Sequence, residues 1–467
     1  MKKVLFLFFS IVLSATASGQ EMWGISNSNF AGVMGLGLNP ASMVAAPYWY
    51  EIHAFSGDFF VQNNYIYIRK RGSSGTEGES TGRFSDYYNQ DDKYGYGSIS
   101  IKGPSAIFNR GNSAFAFYTA WRNGISARDV PYHVAKFIYD GFDYIPQQGI
   151  NYSSGPFHAA LLEWAEFGLS LGTTFSGKSD NLLTGAITVK YLGALNAAFL
   201  QMNSINYNVV NTGLLVVSNI DGSYGHSEFD SEGNIFRQLF SFKGSGAGAD
   251  IGLNYFHGRL EKAYDCSKRG NDLKKYNFRI GLSAIDMGFV HLGGSSPVFK
   301  YNNASTVWPG IDTIKFDNLT DFDTTLSNQF LSDPTAALSK KGFDVTLPAA
   351  VSLQFDYCIK PRFYINASVI QRLPVGKIQV QRPNQVSITP RYETRSFEAA
   401  LTLSTVDYAM PRVGLAFRYK FLVLGTDKIG PVTGLWDITG IDFFFGLKFQ
   451  TCSAKQRRVK GADCFAY

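Results

Sequence analysis

Beyond its N-terminus this 467-residue chain has no run of 18 apolar residues, so no transmembrane helix is expected. Charged residues make up only 17%, fewer than a soluble domain usually carries. Proline (16) and cysteine (4) are sparse, which excludes proline-rich linkers and dense disulfide scaffolds. No H-E-x-x-H pair or G-x-S-x-G elbow occurs, so neither a zincin nor a hydrolase of that type is predicted. The glycines at 244, 246 and 248 precede a strand-like run, so they make no phosphate loop.

What the chain does have is aromatics, at 15%, and 47 glycines. Its mean hydropathy is close to zero, at −0.07. Strands whose every second residue is polar hide their hydrophobicity from such averages. In the last strand-like run, Ile441, Phe443, Phe445, Leu447 and Phe449 share one face, and Asp442, Phe444, Gly446 and Lys448 share the other.

Similar runs are predicted at 49–68, 97–107, 113–123, 164–175, 184–200, 247–258, 277–290, 346–358, 362–373, 395–405, 412–424 and 439–450. A further hairpin in 205–225 would raise the count from twelve to 14. Charged and amide side chains at alternate positions suit a wet lumen, because a dry core would leave them unpaired. The expected fold is all-β: a transmembrane antiparallel β-barrel of about 14 strands (12–16), with an N-terminal plug segment.

Residues 1–19 read as a signal peptide. Lys2 and Lys3 precede an apolar core at 4–13, and Ala17 and Gly19 suit the cleavage positions. Residues 20–47 are small, polar and Gly-rich, and are expected as a plug inside a barrel spanning 48–450. Connections alternate long and short along the chain. The short ones are placed at 108–112, 176–183, 359–361 and 406–411, and 259–276 is an exception. Short periplasmic turns and long external loops are the rule for outer-membrane barrels. The predicted location is therefore the Gram-negative outer membrane, with both termini in the periplasm. Short helices are expected within 130–143 and 321–341.

The net charge is +6, yet an exported chain meets no nucleic acid. In the tail, 451–467, Lys455, Arg457, Arg458 and Lys460 form a solvated terminus or an electrostatic contact in the periplasm. Strand parity points Lys102, Arg122, Glu166, Lys190, Arg279, Asp356, Glu398, Arg418, Lys420, Asp442 and Lys448 into the lumen. They would form either a salt-bridge lattice that holds the plug or a selectivity lining. Odd spacing puts Glu163 on the opposite face from Glu166. The six histidines, at 53, 133, 158, 226, 257 and 291, lack metal spacing and are expected at the surface or in loops. No catalytic residue, metal or cofactor is predicted. Cys452 with Cys464 and Cys266 with Cys358 are one of three possible pairings in an oxidising compartment.

Residues 35–41 (Gly-Leu-Gly-Leu-Asn-Pro-Ala) place Asn39, Pro40 and Ala41 just before the first strand. This element resembles the N-terminal hatch of the long-chain fatty-acid transporter superfamily, the FadL-like barrels. The stretches 164–170, 185–192, 278–288, 390–393, 412–418 and 440–448 are similar to uncharacterised Bacteroidota outer-membrane barrels. Many of those carry an OmpA-like domain after the barrel, for which the residues after 450 are too few. The resemblance implies a passive channel or binding barrel for a hydrophobic small molecule, in contact with outer-membrane lipid. It equally implies a scaffold that docks partner proteins of an envelope or secretion assembly.

Overall fold

The computed structural model describes residues 21–69, 84–110, 112–178, 181–228, 241–258, 276–433 and 437–451. The predicted signal peptide, basic tail and pairings of Cys266, Cys452 and Cys464 lie outside them. Cys358 is buried.

Among the described residues twenty strands are formed: β1 (Tyr50–Asn63), β2 (Ile66–Tyr67), β3 (Ser85–Asp86), β4 (Lys93–Lys102), β5 (Ser105–Arg110), β6 (Ser113–Val130), β7 (Asn151–Ser154), β8 (Phe157–Lys178), β9 (Asn181–Asn211) and β10 (Leu214–His226), then β11 (Gly244–His257), β12 (Phe278–Pro309), β13 (Leu338–Thr346), β14 (Ala350–Lys360), β15 (Phe363–Arg372), β16 (Gln385–Glu393), β17 (Phe397–Val406), β18 (Met410–Tyr419), β19 (Leu422–Thr426) and β20 (Gly440–Thr451). All but β2 and β3 join one antiparallel sheet. It closes on itself where Tyr50 pairs with Thr451 and Gln62 with Gly440. β4 with β5, and β13 with β14, are single staves with a break. β7 and β10 only extend the wall. The result is a closed 14-strand transmembrane barrel.

Closure removes the edges that an open sheet would expose. Each stave alternates. In β17, Phe397, Leu401 and Leu403 face outward and exposed, while Glu398, Ala400, Thr402 and Ser404 are buried. Such an apolar outer face with a polar inner face is stable only against lipid. The rim that carries the start of β1 and the end of β20, here the near end, is ringed by exposed aromatics. Tyr50, Phe108, Phe175, Tyr357, Phe363 and Phe421 are among them, as at a membrane–water interface.

The barrel is tall on one side. β8, β9 and β12 run for 22, 31 and 32 residues. β10 lies between the far parts of β9 and β12, with the helices Tyr132–Asp140 and Leu319–Leu331 nearby. The opposite side, β15 to β19, is low.

Fourteen staves arise from a different set of strands than the sequence suggested. The 205–225 hairpin forms, but as part of the far extension and not as two staves. The two staves that were not anticipated are β16 and β19. β16 lies in 374–394, between the strands predicted at 362–373 and 395–405. Residues 412–424 fold as two strands because the chain turns at Lys420, where φ is +51°. Adding a stave at β16 also moves the 407–409 turn to the far end, although a short near-end turn was expected at 406–411.

Candidate functional site: the barrel interior

Residues 21–48 are almost wholly buried and are enclosed by the staves. Too short to make a core, they borrow one from the wall. Val33, Leu36, Met43, Val44 and Tyr48 pack with Ile107, Ala114 and Tyr118. Met22, Ile25 and Met34 pack with Phe444 and Val423.

Their polar groups reach opposite sides of the barrel. Trp23 Nε1 donates to Gln385 Oε1 at 2.9 Å, and Ser28 Oγ to Glu398 Oε2 at 2.9 Å. Val33 N donates to Glu51 Oε1 at 2.8 Å, and Ser283 Oγ to Leu38 O at 2.6 Å. Lys448 Nζ donates to the carbonyls of Phe30 and Ala31. Asn39 caps the short helix Pro40–Met43 by accepting from Ala41 N at 2.9 Å. Its amide donates to Leu253 O at 3.1 Å and Gln354 Oε1 at 2.9 Å. A Cβ at Gly252 would lie 2.2 Å from Asn39 Oδ1, so glycine there makes the seat for Asn39. Pro40 and Ala41 follow it into the interior, both buried.

At mid-height the wall carries an ion lattice. Asp286 sits at a bulge of β12 with φ +54°. It receives Arg122 at 2.8 Å, Lys190 at 2.8 Å and Arg382 at 2.6 Å. Lys190 also meets Asp250 at 2.8 Å and Glu166 at 3.4 Å. Arg382 also meets Glu21 at 3.2 Å. Nearer the termini, Arg391 binds Asp356 at 2.7 Å and Glu393 at 3.1 Å. Arg418 binds Glu398 at 3.0 Å there too, and toward the far end of the low side Arg412 binds Asp442 at 2.8 Å. Charges so buried persist only when paired.

Of the eleven residues that parity aimed inward, ten line this interior. Lys102 donates to Val33 O at 3.4 Å, and Arg279 donates to Asn27 O at 2.7 Å. Lys420 does not line it. It is exposed in the β18–β19 turn, with its ammonium 5.3 Å from the centre of the Tyr419 ring. Reading the two strands as one had carried the parity past the turn. Sequence reasoning also missed Glu21, Glu51, Asp250, Asp286, Arg382, Glu393, Arg391 and Arg412. For Asp250, Arg391 and Arg412 the alternation itself was the available signal.

His53 departs from expectation too, being fully buried on β1. Its Nε2 lies 3.0 Å from Ser56 Oγ, and its Nδ1 lies 4.0 Å from Glu51 Oε1. The second distance is too long for a hydrogen bond, so no orienting carboxylate completes a nucleophilic set.

A cavity of about 70 Å³ lies against the buried segment, bordered by Glu21, Leu36, Asp58, Lys102, Trp164 and Arg382. That is room for about two waters. The far half of the interior is of another kind. Leu162, Trp164, Leu192, Phe199, Val290, Val298, Phe343 and Val345 turn an apolar surface inward. The β15–β16 connection, 373–384, lies on it. Val380 joins that cluster and Ile378 packs against it. Thr346 N donates to Ile378 O at 2.9 Å, and Val380 N to Thr346 O at 3.2 Å. A Cβ at Gly124 would meet Val380 Cγ1 at 2.9 Å, so the glycine opens a place for it.

Several solved barrels are similar to this chain. The TodX deltaS2S3 mutant, a monoaromatic hydrocarbon channel, is 12% identical with a TM-score of 0.45, over 94% of this chain and 98% of that one. The toluene transporter TbuX of Ralstonia pickettii is 10% identical with a TM-score of 0.41, over 94% and 99%. A FadL homologue of Pseudomonas aeruginosa is 9% identical with a TM-score of 0.24, over 93% and 99%. No curated protein matches the sequence. The model of a family of unknown function, DUF5723, matches residues 40–427, and the chain belongs to that family.

Proposed function

We propose that this protein is a passive channel or binding barrel for a hydrophobic small molecule in the Gram-negative outer membrane. Residues 20–47 act as its plug, both termini face the periplasm, and the tall side faces outward. The observation that carries the reading is the apolar surface in the far half of the interior. A lumen that only needed rigidity would do as well with a polar lattice throughout. Here branched and aromatic side chains from β8, β9, β12 and β13 face inward and are covered by one inter-strand connection.

Burying an aliphatic side chain such as Ile378 or Val380 stabilises by about 1.5–3 kcal/mol. A solute offering similar apolar area can compete with it. The orientation is supported by connection length. The near end has tight turns at 361–362, 394–396 and 420–421, and the long hairpins lie at the far end.

The test is uptake of N-phenylnaphthylamine, an apolar fluorophore that an intact outer membrane excludes. Cells expressing the chain should take it up faster than cells expressing an unrelated closed barrel. Equal rates would refute the proposal.

A further inference from the structure

We infer that the connection 373–384 is a built-in competitor for the solute site, and that Arg382 ties its displacement to release of the buried N-terminal segment. This rests on the hydrophobic-solute reading above and names the site and its control.

The connection is placed like a ligand. From Ile378 to Arg382 it lies along the tall side of the barrel. Gln379 bridges to Thr346 in parallel register, and Gln381 N donates to Ser126 Oγ at 2.9 Å. Two of its apolar side chains, at 378 and 380, lie with Leu162, Trp164, Val290 and Phe343. Between 375 and 382 its backbone is held to the wall by the two bonds through Thr346, by the one to Ser126 and by Gln201 Nε2 donating to Lys377 O, and the Gln379 side chain adds a bond from Nε2 to Leu347 O at 3.0 Å. The solute that fits in its place is compact and apolar, because the side chains uncovered at 378 and 380 are those of this hydrophobic cluster.

Two residues beyond Val380, Arg382 is buried between Asp286 and Glu21. The two carboxylates differ in what remains if Arg382 leaves. Asp286 keeps Arg122 and Lys190. For Glu21 the Arg382 contact is the only ion pair among the described residues. Lifting Ile378 and Val380 from the wall therefore strips the charge partner from the first turn of the buried segment. The next contact along it, Trp23 N to Asp427 Oδ2 at 3.0 Å, is also made by an inter-strand connection and not by a stave. At this end the Glu21 side chain and the Trp23 main chain are thus fastened to inter-strand connections, and the Trp23 side chain to the start of β16 through Gln385. The remainder of the segment, at Asn39 and at the main chain of Met43 and Val44, is fastened to the wall.

The experiment compares the unsubstituted protein with Ile378→Ala/Val380→Ala and with Arg382→Gln. It follows N-phenylnaphthylamine uptake in cells and hydrogen exchange in nanodiscs, with and without the fluorophore. The double variant should raise uptake about tenfold, because a weaker competitor leaves more of the site open. In the unsubstituted protein the fluorophore should speed exchange at both 376–384 and 22–28. In Arg382→Gln, exchange at 22–28 should already be fast and should no longer respond to it. Uptake unchanged by both variants, with 22–28 indifferent to the fluorophore, overturns the inference and leaves the channel standing. No uptake by the unsubstituted protein overturns both. A heat-shifted gel band confirms folding of each variant, and exchange in the unsubstituted protein decides the matter if a variant does not fold.

Discussion

Arg122 and Asp286 meet through two parallel hydrogen bonds, Nη1 to Oδ1 at 2.8 Å and Nη2 to Oδ2 at 3.0 Å. They stand on β6 and β12, which are separated in the wall by β8, β9 and β11. The pair therefore spans the interior and does not merely join neighbours. Asp286 is the point at which the lattice converges, since Lys190 and Arg382 reach it as well.

Asp286→Asn keeps the shape and removes the charge. Three cations then share the remaining Glu166, Asp250 and Glu21. Losing one partner of a buried ion pair costs about 3–5 kcal/mol. The expected result is a clear drop in the urea midpoint of the detergent-solubilised barrel. Lys420→Gln, on the exposed turn, should leave the midpoint unchanged.

Asn39 gives a second prediction. Asn39→Ala removes the cap of Pro40–Met43, worth about 1 kcal/mol. It also takes a donor from the buried Gln354 Oε1, worth about 1–3 kcal/mol. Hydrogen exchange at 40–46 should accelerate, while β11 and β14 keep their protection. Gly252→Ala should reproduce the effect from the other side, because its methyl would enter the place of Asn39 Oδ1. Unchanged exchange in both variants would show that the Asn-Pro-Ala element is not what seats the segment.

The barrel and most of its staves were legible because period-2 alternation is imposed by lipid on one face and polar groups on the other. Legibility failed where one residue breaks a local rule. In β16, Gln385, Ser387, Thr389, Arg391 and Glu393 alternate inward, but Pro390 argues against a strand. It is tolerated where the β16–β17 pairing skips from Ile388 to Arg391. The β18–β19 turn has no glycine, proline or asparagine, and the strain of a positive φ falls on Lys420. Asp286 lies at a bulge, which shifts the alternation that pattern reading depends on. The covering of the far interior by 373–384 was out of reach, since strand periodicity says nothing of where a connection folds.

Outside the membrane-spanning staves, one ion pair should respond to pH. His226, in the far extension, lies 3.0 Å from Asp323 on the helix Leu319–Leu331, and Tyr224 OH donates to the same carboxylate at 2.9 Å. Burial opposes the imidazolium, but the hydrogen bond and charge of Asp323, with Glu228 adding to them, raise His226 above its ordinary value. A raised histidine contributes stability fully below its unfolded value, near 6.5, and loses it as pH rises through the folded value. Protection of 319–331, taken relative to the intrinsic exchange rate at each pH, should therefore be high at pH 5–6 and fall on the alkaline side. Asp323→Asn should flatten the profile. A flat profile in the unsubstituted protein would mean that the pair does not hold the helix.

The membrane-facing band makes the last prediction. Leu401 lies midway along β17, 40% exposed, opposite Leu415 on β18. On a soluble protein, arginine at an exposed strand position would change stability little. At the centre of a bilayer it costs about 2–4 kcal/mol, and the cost fades toward the interfaces. Leu401→Arg should thus lower the yield and stability of folding into phospholipid vesicles. The same change at Phe397, beside the near-end turn, should cost less. The gradient is the readout, because a packing defect would not scale with depth. If both positions tolerate arginine equally, the outer face of β17 does not meet lipid, and its apolar residues need another partner.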